Sequence, residues 1–80
     1  MKYDVTTDNS EWTGRDIIVT LFSDGTACPR NKVGYLSDKR TPVRDAIKNA
    51  ETWLAQEAHQ YERIIIHLMD GAELPVELSK

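Results

Sequence analysis

The chain has a single cysteine, Cys28, so no intrachain disulfide can form. That argues against a small secreted scaffold held by cross-links and fits a reducing cytoplasm. No apolar run approaches the length of a membrane span, so no membrane partner is expected. The first five residues, Met1 to Val5, are not apolar, and no signal peptide is expected. Gly14, Gly25, Gly34 and Gly71 stand alone, which excludes a glycine-rich phosphate loop. Neither Cys-x-x-Cys nor His-x-x-x-His occurs, and the two histidines, His59 and His67, are eight residues apart. No metal or cofactor is therefore expected. A nucleophile needs a base beside it, held by a third group. Cys28 and His67 are the nearest approach to such a pair. Cys28 precedes Pro29 in a strand pattern and reads as a buried thiol. His67 reads as a strand histidine beside Leu74. No enzyme is expected.

Eighty residues make one domain, 1–80, with a thin core. The clearest element runs from Thr41 to Tyr61. Thr41 suits an N-cap and Pro42 the first helical position. Val43, Ala46, Ile47, Ala50, Trp53, Leu54, Ala58 and Tyr61 follow in steps of three and four. That spacing predicts one amphipathic helix, with Trp53 as its largest buried group. Its small residues suit close approach to a sheet.

Lys2–Thr7 alternates weakly and predicts a first strand. Asp16–Phe22 is rich in β-branched and large residues and predicts a strand inside the sheet. Asp24-Gly25 signals a two-residue hairpin turn. In that register Cys28 faces Leu21 and Pro29 faces Thr20. The returning strand is expected over Ala27–Leu36, and Pro29 marks an edge or bulge. Arg63–Met69, with Ile64, Ile65 and Ile66, predicts a central strand. Asp70-Gly71 predicts a second hairpin, returning over Ala72–Leu78 as an edge strand. The expected class is α+β: a mostly antiparallel sheet of four to five strands, in the order β-β-β-α-β-β, with one helix on one face. Ile18, Phe22 or the alternate isoleucines would then need cover on the other face, from water, another chain or the loop that holds Trp12.

Charge is unevenly spread. Residues 1–29 carry a net −3, residues 30–48 a net +4 and residues 49–80 a net −4. The basic segment holds Arg30, Lys32, Lys39, Arg40, Arg44 and Lys48 and leads into the helix. Lys39, Arg40 and Arg44 surround a helix N-terminus, where cations are locally unfavourable, so their placement there points to an anionic partner. A solvated face, partly neutralised by Asp38 and Asp45, is the competing reading. Trp12 in a polar loop is either an interface anchor or a lid over the sheet. These seven residues are the expected partner-binding set.

Two resemblances accompany these features. The strands followed by Thr-Pro-Val-Arg-Asp-Ala-Ile-Lys-Asn-Ala-Glu-Thr-Trp-Leu resemble the helix of HicB-type antitoxins, which follows three strands in a partial RNase H-like domain. That likeness rests on Ala46, Ala50, Trp53 and Leu54. The family's Pro-Gly-Cys segment before the helix is absent. In size and architecture the chain also resembles small phage-encoded inhibitors of the anti-CRISPR type. That likeness implies a stoichiometric protein that blocks a nucleic-acid-handling complex. The expected function is thus a non-enzymatic protein-binding inhibitor or adaptor. The alternative is a nucleic-acid-binding or HicB-like antitoxin module that uses segment 30–48. A homodimer is left open.

Overall fold

The computed structural model describes residues 3–7, 12–32, 34 and 39–75. Five strands and one helix follow in the order β1 (Asp4–Thr6), β2 (Asp16–Leu21), β3 (Thr26–Arg30), β4 (Thr41–Pro42), α1 (Val43–Gln56) and β5 (Arg63–Leu68). They form one sheet in the order β1-β5-β2-β3-β4. The α+β class holds, but the sheet is mixed. β5 runs parallel to both β1 and β2, while β2–β3 and β3–β4 are antiparallel.

The expected hairpin after Asp70-Gly71 does not form. β5 has β1 on one side and β2 on the other, so no edge is left for a returning strand. Ala72–Pro75 is irregular instead, and Ala72 and Leu74 pack on the core. Residues 76–78 lie outside the described residues. The extra strand comes from Thr41–Pro42, which pairs with Thr26 and Ala27. The expected return of the first hairpin is found over Thr26–Arg30, and its resumption at Val33, Tyr35 and Leu36 lies outside the described residues.

The register of that hairpin differs by one residue from the expected one. Phe22 N–H donates to Thr26 O at 2.9 Å, so the loop is three residues, Ser23 to Gly25. Gly25 sits at φ 85°, the left-handed position that such a loop requires. Leu21 therefore pairs with Ala27, Thr20 with Cys28 and Val19 with Pro29. One residue of register moves every side chain to the other face. Here it puts Ala27 under the helix. Pro29, which cannot donate to a ladder, lies beyond the two pairs that β4 makes with β3.

The helix is shorter than its apolar stripe. Thr41 is drawn into the ladder opposite Ala27, so it cannot cap. Pro42 takes the cap position at φ −52°, ψ 147° with no side-chain cap bond. At the other end Glu57 leaves helical geometry at φ −115°, ψ 38°. Ala58 is exposed and adds no buried surface to hold a further turn. Tyr61 is still buried, and Asn31 Nδ2 donates to its hydroxyl at 3.2 Å.

The main core lies between α1 and one sheet face. Ala46, Ile47 and Ala50 meet Ile17, Val19, Leu21, Ala27, Ile64 and Ile66. The alanines bring the helix backbone close to the sheet, and Trp53 is left half-buried at the margin rather than central. The second face is smaller: Trp12 packs over Ile18 and Ile65. Trp12 is 4% exposed, so it is the lid and not an exposed anchor. Its ring meets His67 edge-on at 4.9 Å, and the Arg30 guanidinium lies 5.0 Å from the ring centroid.

Asp16 holds the end of the sheet where β2 and β5 begin. Its side chain is almost wholly buried. Arg63 donates to it from Nε at 2.7 Å and Nη2 at 3.3 Å, and from Nη1 to Asp4 at 2.8 Å. Thr13 N–H adds a bond at 2.8 Å. Burial pushes the Asp16 carboxyl up, but the Arg63 and Thr13 hydrogen bonds outweigh it and hold it below the usual carboxylate range. One guanidinium thus ties all three parallel strands.

Candidate interaction surface

β2, β5 and β1 are parallel, so their carboxyl ends share one end of the molecule. β4 is antiparallel to β3 and delivers the start of α1 to that same end. The turns that follow β2 and β5 stand side by side there. Met69 N–H donates to Leu21 O at 3.1 Å. Gly71 adopts φ 82°, and a Cβ on it would lie 3.3 Å from Ser23 Cβ. Two open clefts flank this contact. One, of about 920 Å³, lies against the first turn of α1, with Pro42, Arg44, Asp45, Glu73 and Leu74 in its walls. The other, of about 470 Å³, lies on the Trp12 side and is walled by Phe22, Asp24, Arg40, His67, Met69 and Asp70 among others.

The structure divides the expected basic set. Lys39, Arg40 and Arg44 are exposed around the start of α1, and Lys48 follows one turn on from Arg44, on the same side of the helix. Arg30 and Lys32 leave β3 at the opposite end of the sheet. Arg30 lies over Trp12 and donates from Nε to Asn31 O at 3.2 Å. Lys32 is exposed there. Trp12 is under cover. Four of the seven residues therefore share a surface and three do not.

That surface is not simply basic. Asp24 and Asp70 arrive from the turns, Asp45 from the helix and Glu73 from the segment after β5, and all four are exposed. They match the four cations in number. Asp38, expected to share in this neutralisation, lies outside the described residues. Asp24 accepts from Thr26 N–H at 3.0 Å and from Thr26 Oγ1 at 2.5 Å. Those two bonds, with Arg40 beside them, hold its carboxyl below the usual range. Arg40 Nη1 stands 3.6 Å from Asp24 Oδ2. Its guanidinium carbon lies over the Phe22 ring, 3.7 Å from the centroid. Met69, 42% exposed, is the exposed large hydrophobic side chain among the described residues, and it shares the smaller cleft with Phe22 and Arg40.

Phe22, Met69, Asp24 and Asp70 were not among the residues expected at the site. Asp24 and Asp70 have a sufficient role as turn residues, and Phe22 continues a strand pattern. Only the parallel pairing of β5 beside β2 brings the two turns together.

Other chemistry-bearing residues lie apart. Cys28 is buried, with Sγ 3.3 Å from Lys39 O. His67 faces Thr20 Oγ1 at 3.4 Å and Trp12, not Leu74 as the expected hairpin implied. Thr20 pairs with Cys28 on one side and His67 on the other, so a whole strand separates thiol from imidazole. Among the described residues no group of three or more His, Cys, Asp or Glu has metal-binding geometry. No helix of the described residues is long and apolar enough to cross a membrane. Compared with known proteins, the chain matches no family model, no curated protein sequence and no solved structure.

Proposed function

We propose that the chain is a non-enzymatic protein-binding inhibitor or adaptor that meets its partner at the end where α1 begins. The observation that carries this reading is the grouping of Arg40, Phe22 and Met69 beside an open cleft of mixed charge. Arginine, aromatic and methionine side chains are the types enriched at protein interfaces. The four acids among the four cations favour a protein surface over nucleic acid. A phosphate backbone rewards uninterrupted positive charge, and carboxylates in the same cleft repel it. A nucleic-acid-handling complex is the partner class that the resemblance to small phage-encoded inhibitors implies.

The test is capture of partners by the tagged protein from bacterial lysate, with and without nuclease. A stoichiometric protein partner that survives nuclease, and is lost on Arg40→Glu together with Arg44→Glu, supports the reading. Recovery of nucleic acid alone, or of partners released by nuclease, overturns it.

A second reading, a nucleic-acid-binding or HicB-like antitoxin module, is favoured by one observation. α1 follows three successive antiparallel strands, β2, β3 and β4, the order that the HicB resemblance implies. That module would lose affinity steeply with salt.

A further inference from the structure

Arg40 is held at this end by an aromatic ring. Its guanidinium is pressed on Phe22 at 3.7 Å, and its aromatic support is itself half-buried at the end of β2. The side chain is nevertheless 54% exposed. A guanidinium carries five N–H donors in a fixed fork. Among the described residues its one carboxylate neighbour within 4 Å is Asp24, at 3.6 Å, outside ordinary hydrogen-bond length. Thr26 occupies the other Asp24 oxygen, through its N–H at 3.0 Å and its Oγ1 at 2.5 Å, so this carboxylate faces Arg40 with one oxygen only. The ring contact thus restrains the guanidinium where it lines the 470 Å³ cleft.

From this we infer that Arg40, presented by Phe22, is the specificity-determining anchor of the surface and takes a single carboxylate of the protein partner, an Asp or Glu side chain, in a bidentate pair. The inference rests on the protein-binding reading and adds the chemistry of the group recognised. A carboxylate matches the fork in shape and spacing. It also carries one charge. A dianionic phosphate group in the same cleft would face Asp24 and Asp70 with twice the charge and be repelled more strongly. Phe22 and Met69 offer apolar contact to the carbon chain behind the carboxylate. Pre-orientation by the ring contact removes part of the entropy that an exposed arginine otherwise loses on binding.

Two measurements test it. In the first, the Arg40 Nε–Hε resonance of the wild-type protein is followed by NMR against N-acetylglutamate α-methylamide, which carries a single carboxylate, and, at equal ionic strength, inorganic phosphate. A saturable shift with the glutamate amide is expected, with a dissociation constant on the order of 10 mM, the strength of one charge-assisted pair. Phosphate should bind more weakly, and Phe22→Leu should weaken the response to the glutamate amide several-fold. No saturable shift, or tighter binding of phosphate, overturns the inference. In the second, captured partner is titrated against wild type and Arg40→Lys. Lysine keeps the charge and loses the fork, so binding should fall about tenfold or more. Equal binding overturns the inference and leaves the protein-binding reading standing. If no nuclease-resistant partner is captured, that reading fails and the NMR arm alone decides the inference.

Discussion

Replacing Trp12 by alanine tests how the second sheet face is closed. Trp12 is 4% exposed and covers Ile18 and Ile65, both essentially inaccessible to water. Truncating a buried tryptophan of this kind costs roughly 3–5 kcal/mol. The loss of the Arg30 contact over its ring falls within that range. An 80-residue domain has about 4–12 kcal/mol of total stability at the usual 0.05–0.15 kcal/mol per residue. The substitution should therefore remove about a quarter of the stability or more. At about 4–8 °C per kcal/mol for a domain of this size, the midpoint should fall by at least about 12 °C. Urea and thermal unfolding, followed by far-UV circular dichroism, give the number. A Trp53→Phe background makes Trp12 the sole tryptophan, and its emission should be blue-shifted in the folded state and move red on unfolding. A cost below about 1 kcal/mol, the range of ordinary surface substitutions, would refute the reasoning and return Trp12 to the role of an exposed anchor.

Other consequences are equally open to measurement. Asp16 has a folded-state pKa below its ordinary value of 3.8, so its contribution is fully present above that value and is lost as pH falls through the lowered one. Urea midpoints between pH 6 and pH 2 should fall less steeply in Asp16→Asn than in wild type. Arg63→Met leaves the Asp16 carboxylate buried without its partner, and because Arg63 is itself half-exposed the cost should be about 2–3 kcal/mol, below the roughly 3–5 of a fully buried pair. Gly25→Ala should cost about 1 kcal/mol through its positive φ alone, whereas Gly71→Ala should cost more because its Cβ also crowds Ser23. Ala50→Leu should push α1 off the sheet and cost roughly 1–3 kcal/mol in chemical denaturation.

Much of the fold was legible in the residues because local patterns and tertiary needs agree. The run Ile64-Ile65-Ile66 is apolar on both faces, and β5 is covered on both, by α1 and by Trp12. The stripe of α1 is read from spacing alone, and its alanines face the sheet. The errors share one cause, which is that backbone pairing across the sheet has no local signature. Thr41 and Pro42 carry ideal helix-start chemistry, yet the open edge of β3 claims Thr41. Asp24-Gly25 reads equally well as a two- or three-residue loop, and the difference shifts a register. Asp70-Gly71 does make a turn, but β1 already occupies the edge that a returning strand would need. The interaction surface was half legible for the same reason. Lys39, Arg40 and Arg44 are neighbours in the chain and remain neighbours in space. Arg30 is separated from them because β3 carries it to the other end of the sheet. The acids that balance the cations, and the Phe22 ring beneath Arg40, arrive only through the parallel pairing of β2 with β5.

The most direct test of the account is to map where a captured partner sits, by hydrogen exchange of the complex against the free protein. Protection concentrated in residues 22–25, 40–45 and 69–73, the turns after β2 and β5 and the start of α1, is the predicted result. Protection confined to the other end of the sheet, or to β1 and residues 54–58 beside it, with 22–25 and 40–45 unchanged, would contradict it.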